Sequence, residues 1–290
     1  MTKTAFLAIV GRPNVGKSTL LNTVCGEKIA IVSNKPQTTR NRITGIYTKG
    51  EDQFVFLDTP GIHKPRTALG DYMVKTANGS IGEADAILLV IEPVPSVGEI
   101  EAGIIEKIRA SKTPAILVVN KVDEHTPADI AATIAAYAAA YDFDAVVPIS
   151  AKSGKGVDAL FEEASKFLYE SVWYFPEDAV TDQPERQIAA EIIREKLLRT
   201  LNKEIPHGTA VVIEEFKEEK NIIRIRAEIF CEKASHKGII VGKNGAALKL
   251  VGTYAREDLE KFLGTKVYLN LWVKVKENWR ESAATVGNFG

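Results

Sequence analysis

Short apolar runs recur through the first part of the chain: Phe6 to Val10, Phe54 to Leu57, Ala86 to Ile91, Ala115 to Val119 and Ala145 to Ile149. Each run is continuously apolar rather than alternating, the pattern of a strand buried on both faces. Between the later runs, Val97 to Ala110 and the alanine-rich Ala128 to Tyr141 have helix-forming composition. This strand–helix alternation predicts an α/β domain over residues 1–171, a mostly parallel sheet with helices on both faces.

The pattern changes after that point. Residues 172–184 contain Phe175-Pro176 and Gln183-Pro184, carry acids and show no helical period, so they read as a linker. From residue 185 a helix is expected from Glu185 to Leu201, stopping at Pro206-His207-Gly208. Two strands follow, Ala210 to Phe216 and Ile222 to Phe230, joined through Glu218-Glu219-Lys220-Asn221 as a hairpin turn. Helices flanking a glycine loop and a last strand, Lys266 to Val275, complete the order α-β-β-α-α-β. Residues 185–290 are therefore expected to form a second, α+β domain with a C-terminal tail.

The 290 residues are comfortable for two cores, and a composition of 45% hydrophobic and 26% charged residues is ordinary for a globular chain. A formal net charge of -1 names no partner. Residues 1–180 hold 18 Lys+Arg against 22 Asp+Glu, a balance of -4, whereas residues 181–290 hold 19 against 16, a balance of +3. The second part thus leans basic without forming a basic tract. Cys25 and Cys231, the two cysteines, stand in no metal or redox spacing, which excludes a disulfide scaffold and a zinc centre. The start shows no secretory pattern and no apolar stretch is long enough to span a bilayer, so a cytoplasmic protein is expected. Peripheral contact with the cytoplasmic face of the membrane stays open, and a monomer is the default.

Chemistry enters with Gly11-Arg12-Pro13-Asn14-Val15-Gly16-Lys17-Ser18-Thr19, which matches G-x-x-x-x-G-K-S directly after a strand and opening a helix. Glycines at these positions let backbone N–H groups wrap phosphates, Lys17 reaches the terminal phosphates and the Ser18 hydroxyl can take a place on Mg²⁺. Asn120-Lys121-Val122-Asp123 ends the Ala115 to Val119 strand. A carboxylate there accepts from the paired N1–H and 2-amino donors of guanine, which adenine lacks. Ser150-Ala151-Lys152 follows the next strand and offers the Ala151 N–H to the guanine O6.

In this set of motifs the chain resembles the translation-factor-like P-loop GTPases. The resemblance extends to Asp58-Thr59-Pro60-Gly61-Ile62, in which Asp58 would hold Mg²⁺ through water and the Gly61 N–H would reach the γ-phosphate. Gln37-Thr38-Thr39-Arg40 would supply a hydroxyl to the same metal, from Thr39 in preference to Thr38. The metal set is then Ser18, Thr39 and Asp58, and Lys17, Thr39 and Gly61 act at the reacting phosphate. Where small signalling GTPases carry a water-orienting glutamine, this chain has Ile62, which predicts slow intrinsic hydrolysis, on the order of 10⁻⁴ to 10⁻² s⁻¹. Asn14 occupies the position that, in potassium-activated GTPases, helps bind a K⁺ ion.

Ile240-Val241-Gly242-Lys243-Asn244-Gly245 is a different glycine loop: its glycines are three apart and no Lys-Ser pair follows. Lying between two helices of the α-β-β-α-α-β segment, it resembles the G-x-x-G loop of a type II KH domain, which clamps about four single-stranded nucleotides. Lys237 adds charge beside it. Ile239, Ile240 and Val241, with strand residues such as Ile223, Ile225 and Ile229, are expected to form an apolar floor under the bases, with His236, Lys249 and Arg256 near the phosphates. One G domain followed by one such KH domain resembles a family of bacterial GTPases of small-subunit assembly. That resemblance implies binding to the single-stranded 3′ end of 16S rRNA, with Mg²⁺ and GTP or GDP as ligands and no DNA partner. A GTPase signalling at a membrane or through a protein partner is the competing reading.

Overall fold

The computed structural model describes residues 1–33, 35, 37–62, 67–201 and 205–289. The chain divides into two compact units, one ending at Asp182 and the other beginning at Gln183, with the segment Ile31–Thr38 and residues 67–72, the start of the second helix, grouped with the second.

The first unit runs β1 (Lys3–Val10), α1 (Lys17–Cys25), β2 (Ile43–Lys49), β3 (Asp52–Asp58), α2 (Ala68–Glu83), β4 (Ala86–Ile91), α3 (Glu99–Ser111), β5 (Ala115–Val119), α4 (Pro127–Ala140), β6 (Ala145–Pro148), α5 (Val157–Ala164) and β7 (Tyr169–Glu170). Its sheet has the order β2-β3-β1-β4-β5-β6, with β7 added to β1. Every pairing from β3 to β6 is parallel, while β2 and β7 pair antiparallel. The continuous apolar runs are explained by burial on both faces: β4 and β5 are buried at every position. One face packs with Leu20, Leu21 and Leu160, the other with Ile81, Ile104, Ile108 and Tyr137. Helix α4 starts with a capping box, in which the Asp129 N–H donates to the Thr126 hydroxyl and the Thr126 N–H to the Asp129 carboxylate, behind Pro127 at the first turn.

Residues 172–182, expected as a linker, are laid along the first unit. The Ile46 N–H donates to Val180 O at 2.9 Å, the Thr181 hydroxyl to Thr44 O at 2.7 Å and the Trp173 indole to Glu51 O at 3.1 Å. Prolines and acids read as a free connector, but their backbone supplies partners to β2 and β3. That strand β2 is itself absent from the sequence reading, because Ile43-Thr44-Gly45-Ile46-Tyr47 mixes polar and apolar positions without a clean period.

The second unit has α6 (Glu185–Thr200), β8 (Ala210–Glu219), β9 (Ile222–Cys231), α7 (Ala234–Val241), α8 (Ala246–Leu263), β10 (Lys266–Val275) and α9 (Ala283–Phe289). Its sheet is ordered β10-β9-β8, with β10 parallel and β8 antiparallel to β9, and a bulge between Ile213 and Glu215. One sheet face packs under α6 and α8 through Ile192, Ile225, Ala255, Leu259 and Val267. Trp279, 1% exposed, anchors the tail by donating its indole N–H to Gly208 O at 3.0 Å.

Helix α6 also buries three consecutive ionisable residues, Arg194, Glu195 and Lys196. Burial of this kind is tolerated only with partners. Glu195 accepts from Arg199 at 3.0 Å, from Lys196 at 3.2 Å and from the Val32 N–H at 3.1 Å, and Arg194 donates to Thr38 O. Val32 and Thr38 are thereby tied to α6.

Candidate functional sites

The first site forms at the carboxyl ends of β1, β3, β4, β5 and β6, where open α/β sheets bind ligands. The turn after β1 needs backbone that only glycine reaches easily: Gly11 has φ +152°, Gly16 φ +98° and Asn14 φ +68°. A Cβ on Gly11 would lie 2.4 Å from Val90 O. Lys17 folds back across this turn, its Nζ donating to Gly11 O at 3.1 Å and Arg12 O at 2.9 Å. Burial lowers the Lys17 ammonium to about 8, against the opposing pull of Asp58.

Ser18, Thr39 and Asp58 converge. The Ser18 Oγ lies 2.8 Å from Thr39 Oγ1 and donates to Asp58 Oδ2 at 2.8 Å. Asp58 is fully buried, its carboxyl raised to about 6 by burial, and its Oδ1 lacks a hydrogen-bond partner. A buried, orphaned carboxylate oxygen beside two hydroxyls is a donor set suited to Mg²⁺, which takes few protein ligands and completes its shell with water and phosphate. Thr38 is elsewhere, its hydroxyl donating to Lys35 O at 2.6 Å. The Thr59 hydroxyl donates to Ile9 O at 2.8 Å, and the Ile62 N–H to Gly11 O at 3.2 Å, which draws Pro60 and Gly61 toward the phosphate turn. A Cβ on Gly61 would meet Pro13 at 2.8 Å, so the two loops touch through their backbones. The Ile62 side chain is buried with Ala8, Val10 and Ala77.

The Asn120–Asp123 loop is tied to the same turn. Asn120 donates to Val15 O at 2.8 Å and accepts from the Ala151 N–H at 2.9 Å. The Ala151 N–H, expected to face guanine O6, is therefore engaged by Asn120. The Ser150 hydroxyl holds the exposed Asp123 carboxyl below its usual range, keeping it an ionised acceptor. Lys121, at φ +64°, pairs with Glu92, and Glu92 also pairs with Arg12, whose Nε is 3.3 Å from Glu101. Sequence reasoning missed Glu92, since a lone acid after a strand carries no motif. Thr19 sits in α1 and Lys152 is exposed beside Ala151.

The second site is the turn between α7 and α8. Gly242 has φ +72° and Asn244 φ +52°, and the side chains of Lys243 and Asn244 are exposed, as is Lys237. Beside the turn, Leu248, Lys249, Gly252 and Arg256 of α8 and Leu269 and Leu271 of β10 line a cleft of about 400 Å³. Apolar walls with two cations at the rim suit stacked bases and their phosphates. Four expectations are corrected here. Ile223, Ile225 and Ile229 are buried beneath the helices and cannot be the floor, which Leu248, Leu269 and Leu271 provide instead. Ile240 is fully buried against Leu197 and Val251, so it supports the turn from below. In each case an apolar residue on a helix or strand serves the core before it serves a ligand.

Among the described residues no helix is long and apolar enough to cross a membrane, and no His/Cys/Asp/Glu cluster of three forms a metal site.

Comparison with known proteins finds matches to both parts of the chain. Residues 6–121 match the family model described as 50S ribosome-binding GTPase, and residues 204–280 match the KH domain model. The chain is 53% identical over 293 residues to GTPase Era of Clostridioides difficile, covering 100% of this chain and 99% of that protein. It is 50% identical over 291 residues to GTPase Era of Clostridium kluyveri, with the same coverage. A crystal structure of Era in complex with MgGDPNP and nucleotides 1506-1542 of 16S ribosomal RNA superposes with TM-score 0.96 at 41% identity, covering 100% of this chain and 99% of that one. An Aquifex aeolicus Era variant bound to GDP·AlF4⁻ gives the same TM-score, identity and coverage. With a GTPase domain and a KH domain in one chain, and full-length likeness to these relatives, the protein belongs to the GTPase Era family and is a GTP hydrolase.

Proposed function

We propose that this chain is a GTP-controlled switch in assembly of the small ribosomal subunit, binding the single-stranded 3′ end of 16S rRNA through Gly242–Gly245. The observation that carries this reading is the pairing, in one chain, of the Ser18–Thr39–Asp58 site with an exposed Lys243-Asn244 turn beside an apolar, cation-rimmed cleft. A relative solved with MgGDPNP and a 16S rRNA fragment supports it.

In the reaction, water displaces GDP from the γ-phosphorus, and Mg²⁺, when bound, would supply positive charge to the phosphates. Ser18, Thr39 and Asp58 are the residues that would hold it. Lys17 supplies positive charge to the phosphates, and the Gly61 N–H donates to the γ-phosphate. Ile62 cannot orient the attacking water, so turnover is slow. Asn14 would help hold a K⁺ ion, which would supply the positive charge an arginine finger brings elsewhere. Thr39 and Gly61 sit in loops that order around GTP and relax in GDP, so nucleotide state sets RNA affinity. The protein works as a cytoplasmic monomer.

The test is affinity for a single-stranded RNA copying the 16S rRNA 3′ end, with GDP and with a non-hydrolysable GTP analogue. A Lys243→Asp/Asn244→Asp variant is titrated in parallel. Salt-sensitive binding that favours the GTP form and is lost in the variant is expected. Weak binding, equal in both states and indifferent to the turn, would favour a membrane or protein partner. For K⁺, hydrolysis faster in K⁺ than in Na⁺, with the difference erased by Asn14→Ala, is expected.

A further inference from the structure

Strand β4 lies between β1 and β5 in the sheet, so a side chain just past its carboxyl end stands between the Gly11–Ser18 turn and the Asn120–Asp123 loop. The main chain already brings all three together there: the Asn120 N–H donates to Ile91 O at 2.9 Å, and Gly11 lies against Val90 O. Glu92 is the residue that follows β4. Its Oε2 accepts from the Arg12 guanidinium of the turn, and its Oε1 accepts from the Lys121 ammonium of the loop. One carboxylate thus serves two cations, one from each loop.

An isolated, exposed ion pair contributes little, because water screens it and two long side chains must be held in one geometry. This one is neither. The Glu92 side chain is 22% exposed, and Arg12 is gripped a second time by the buried Glu101 of α3, 3.3 Å from its Nε. The result is a relay from α3 through Arg12 and Glu92 to Lys121. Lys121 is the residue that needs holding: at φ +64° and ψ 32° it is left-handed, which disfavours a long side chain. It separates Asn120, bonded to Val15 O and the Ala151 N–H, from Asp123. Its carbonyl also accepts from the Glu124 N–H at 3.0 Å, closing the turn that carries Asp123. A shift of Lys121 would therefore move Asp123 while Asn120 stayed tied.

We propose that Glu92 is a positioning residue for guanine recognition: by gripping Lys121 and Arg12 together it holds the Asn120–Asp123 loop in register with the Gly11–Ser18 turn, so that the Asp123 carboxylate meets the base while the turn holds the phosphates. The proposal rests on the reading of Asp123 as the guanine acceptor. Both carboxylate oxygens are needed. Glutamine at this position keeps the shape but has one oxygen and one N–H₂, so one of the two cations loses its acceptor and faces a donor.

The experiment titrates the full chain with GDP and with inosine diphosphate in the presence of Mg²⁺. Hypoxanthine keeps the N1–H of guanine but lacks its 2-amino group, so the ratio of the two affinities reports how well Asp123 meets the base. Wild type should prefer GDP roughly 10- to 100-fold, the worth of one hydrogen bond to a charged group. Glu92→Gln should weaken GDP roughly 5- to 20-fold and inosine diphosphate less, so that the ratio falls. A merely structural loss would weaken both nucleotides alike. Glu92→Gln should also cost less GDP affinity when added to Lys121→Met, where its partner is already gone, than when added to wild type. A wild-type ratio in Glu92→Gln, or losses that add in full with Lys121→Met, overturns the proposal. Asp123→Ala separates it from the reading beneath it. Loss of the GDP preference there, with a wild-type ratio in Glu92→Gln, overturns the positioning role alone. A preference that survives Asp123→Ala overturns both.

Discussion

A Cβ built on Gly16 would fall 2.2 Å from Asn120 Nδ2, so the Gly11–Ser18 turn and the Asn120–Asp123 loop are in contact at a point where only glycine fits. Asn120 reaches that point to bond Val15 O and the Ala151 N–H. Gly16→Ala should displace Asn120 and break both bonds, each costing about 1–3 kcal/mol when a buried group is left unpaired. Asn120→Ala should lose the same bonds without the clash. Both variants are expected to bind GDP on the order of 100-fold more weakly in calorimetric titration. Full affinity in either would mean that the two loops are independent.

Asp58 makes stability depend on pH in the chain free of nucleotide and metal. Its carboxyl is raised to about 6 when folded, against an ordinary value of 3.8. An acid raised by folding favours the protonated native state. Its contribution to stability should therefore be greatest below about 4, fall as pH rises from about 4 to 6, and level off above 6. Asp58→Asn removes the ionisation, so urea melts of this variant should lose that fall while also losing Mg²⁺-dependent nucleotide binding. An identical pH profile in the two proteins would place the slope elsewhere.

Restoring a glutamine at position 62 should not speed hydrolysis. Ile62 is 8% exposed and packs with Ala8, Val10 and Ala77, so Ile62→Gln buries an amide among apolar neighbours at about 1–3 kcal/mol. Single-turnover measurements should find a rate no higher than wild type, together with a lower melting temperature. A tenfold acceleration would show that position 62 can face the water.

The two glycines of the KH turn should respond differently to alanine. A Cβ on Gly242 would lie 2.7 Å from Ala247 Cβ and 2.9 Å from its backbone N, whereas a Cβ on Gly245 meets open space. Both have positive φ, which costs an alanine about 1–2 kcal/mol. Gly242→Ala should thus lower the melting temperature more than Gly245→Ala. Equal melting temperatures would mean that α8 yields to the added methyl.

Sequence by itself determined the parts that depend on local backbone and residue type. The phosphate turn, Asn120-Lys121-Val122-Asp123, the strands buried on both faces and the order of the second unit are all of this kind, because glycine dihedrals, strand length and periodicity are written in adjacent residues. Tertiary structure alone decided what depends on residues distant in the chain. Glu92 joins Arg12 to Lys121 across 80 and 29 positions. Glu195 is buried because Val32, 163 residues away, lends it an N–H. Ile223, Ile225, Ile229 and Ile240 read equally well as a ligand floor or as core, and packing sent them inward while leaving Trp272 outside. The difference is physical: a turn needs only its own dihedrals, but a buried charge or an exposed ring is defined by which surfaces the topology brings against it.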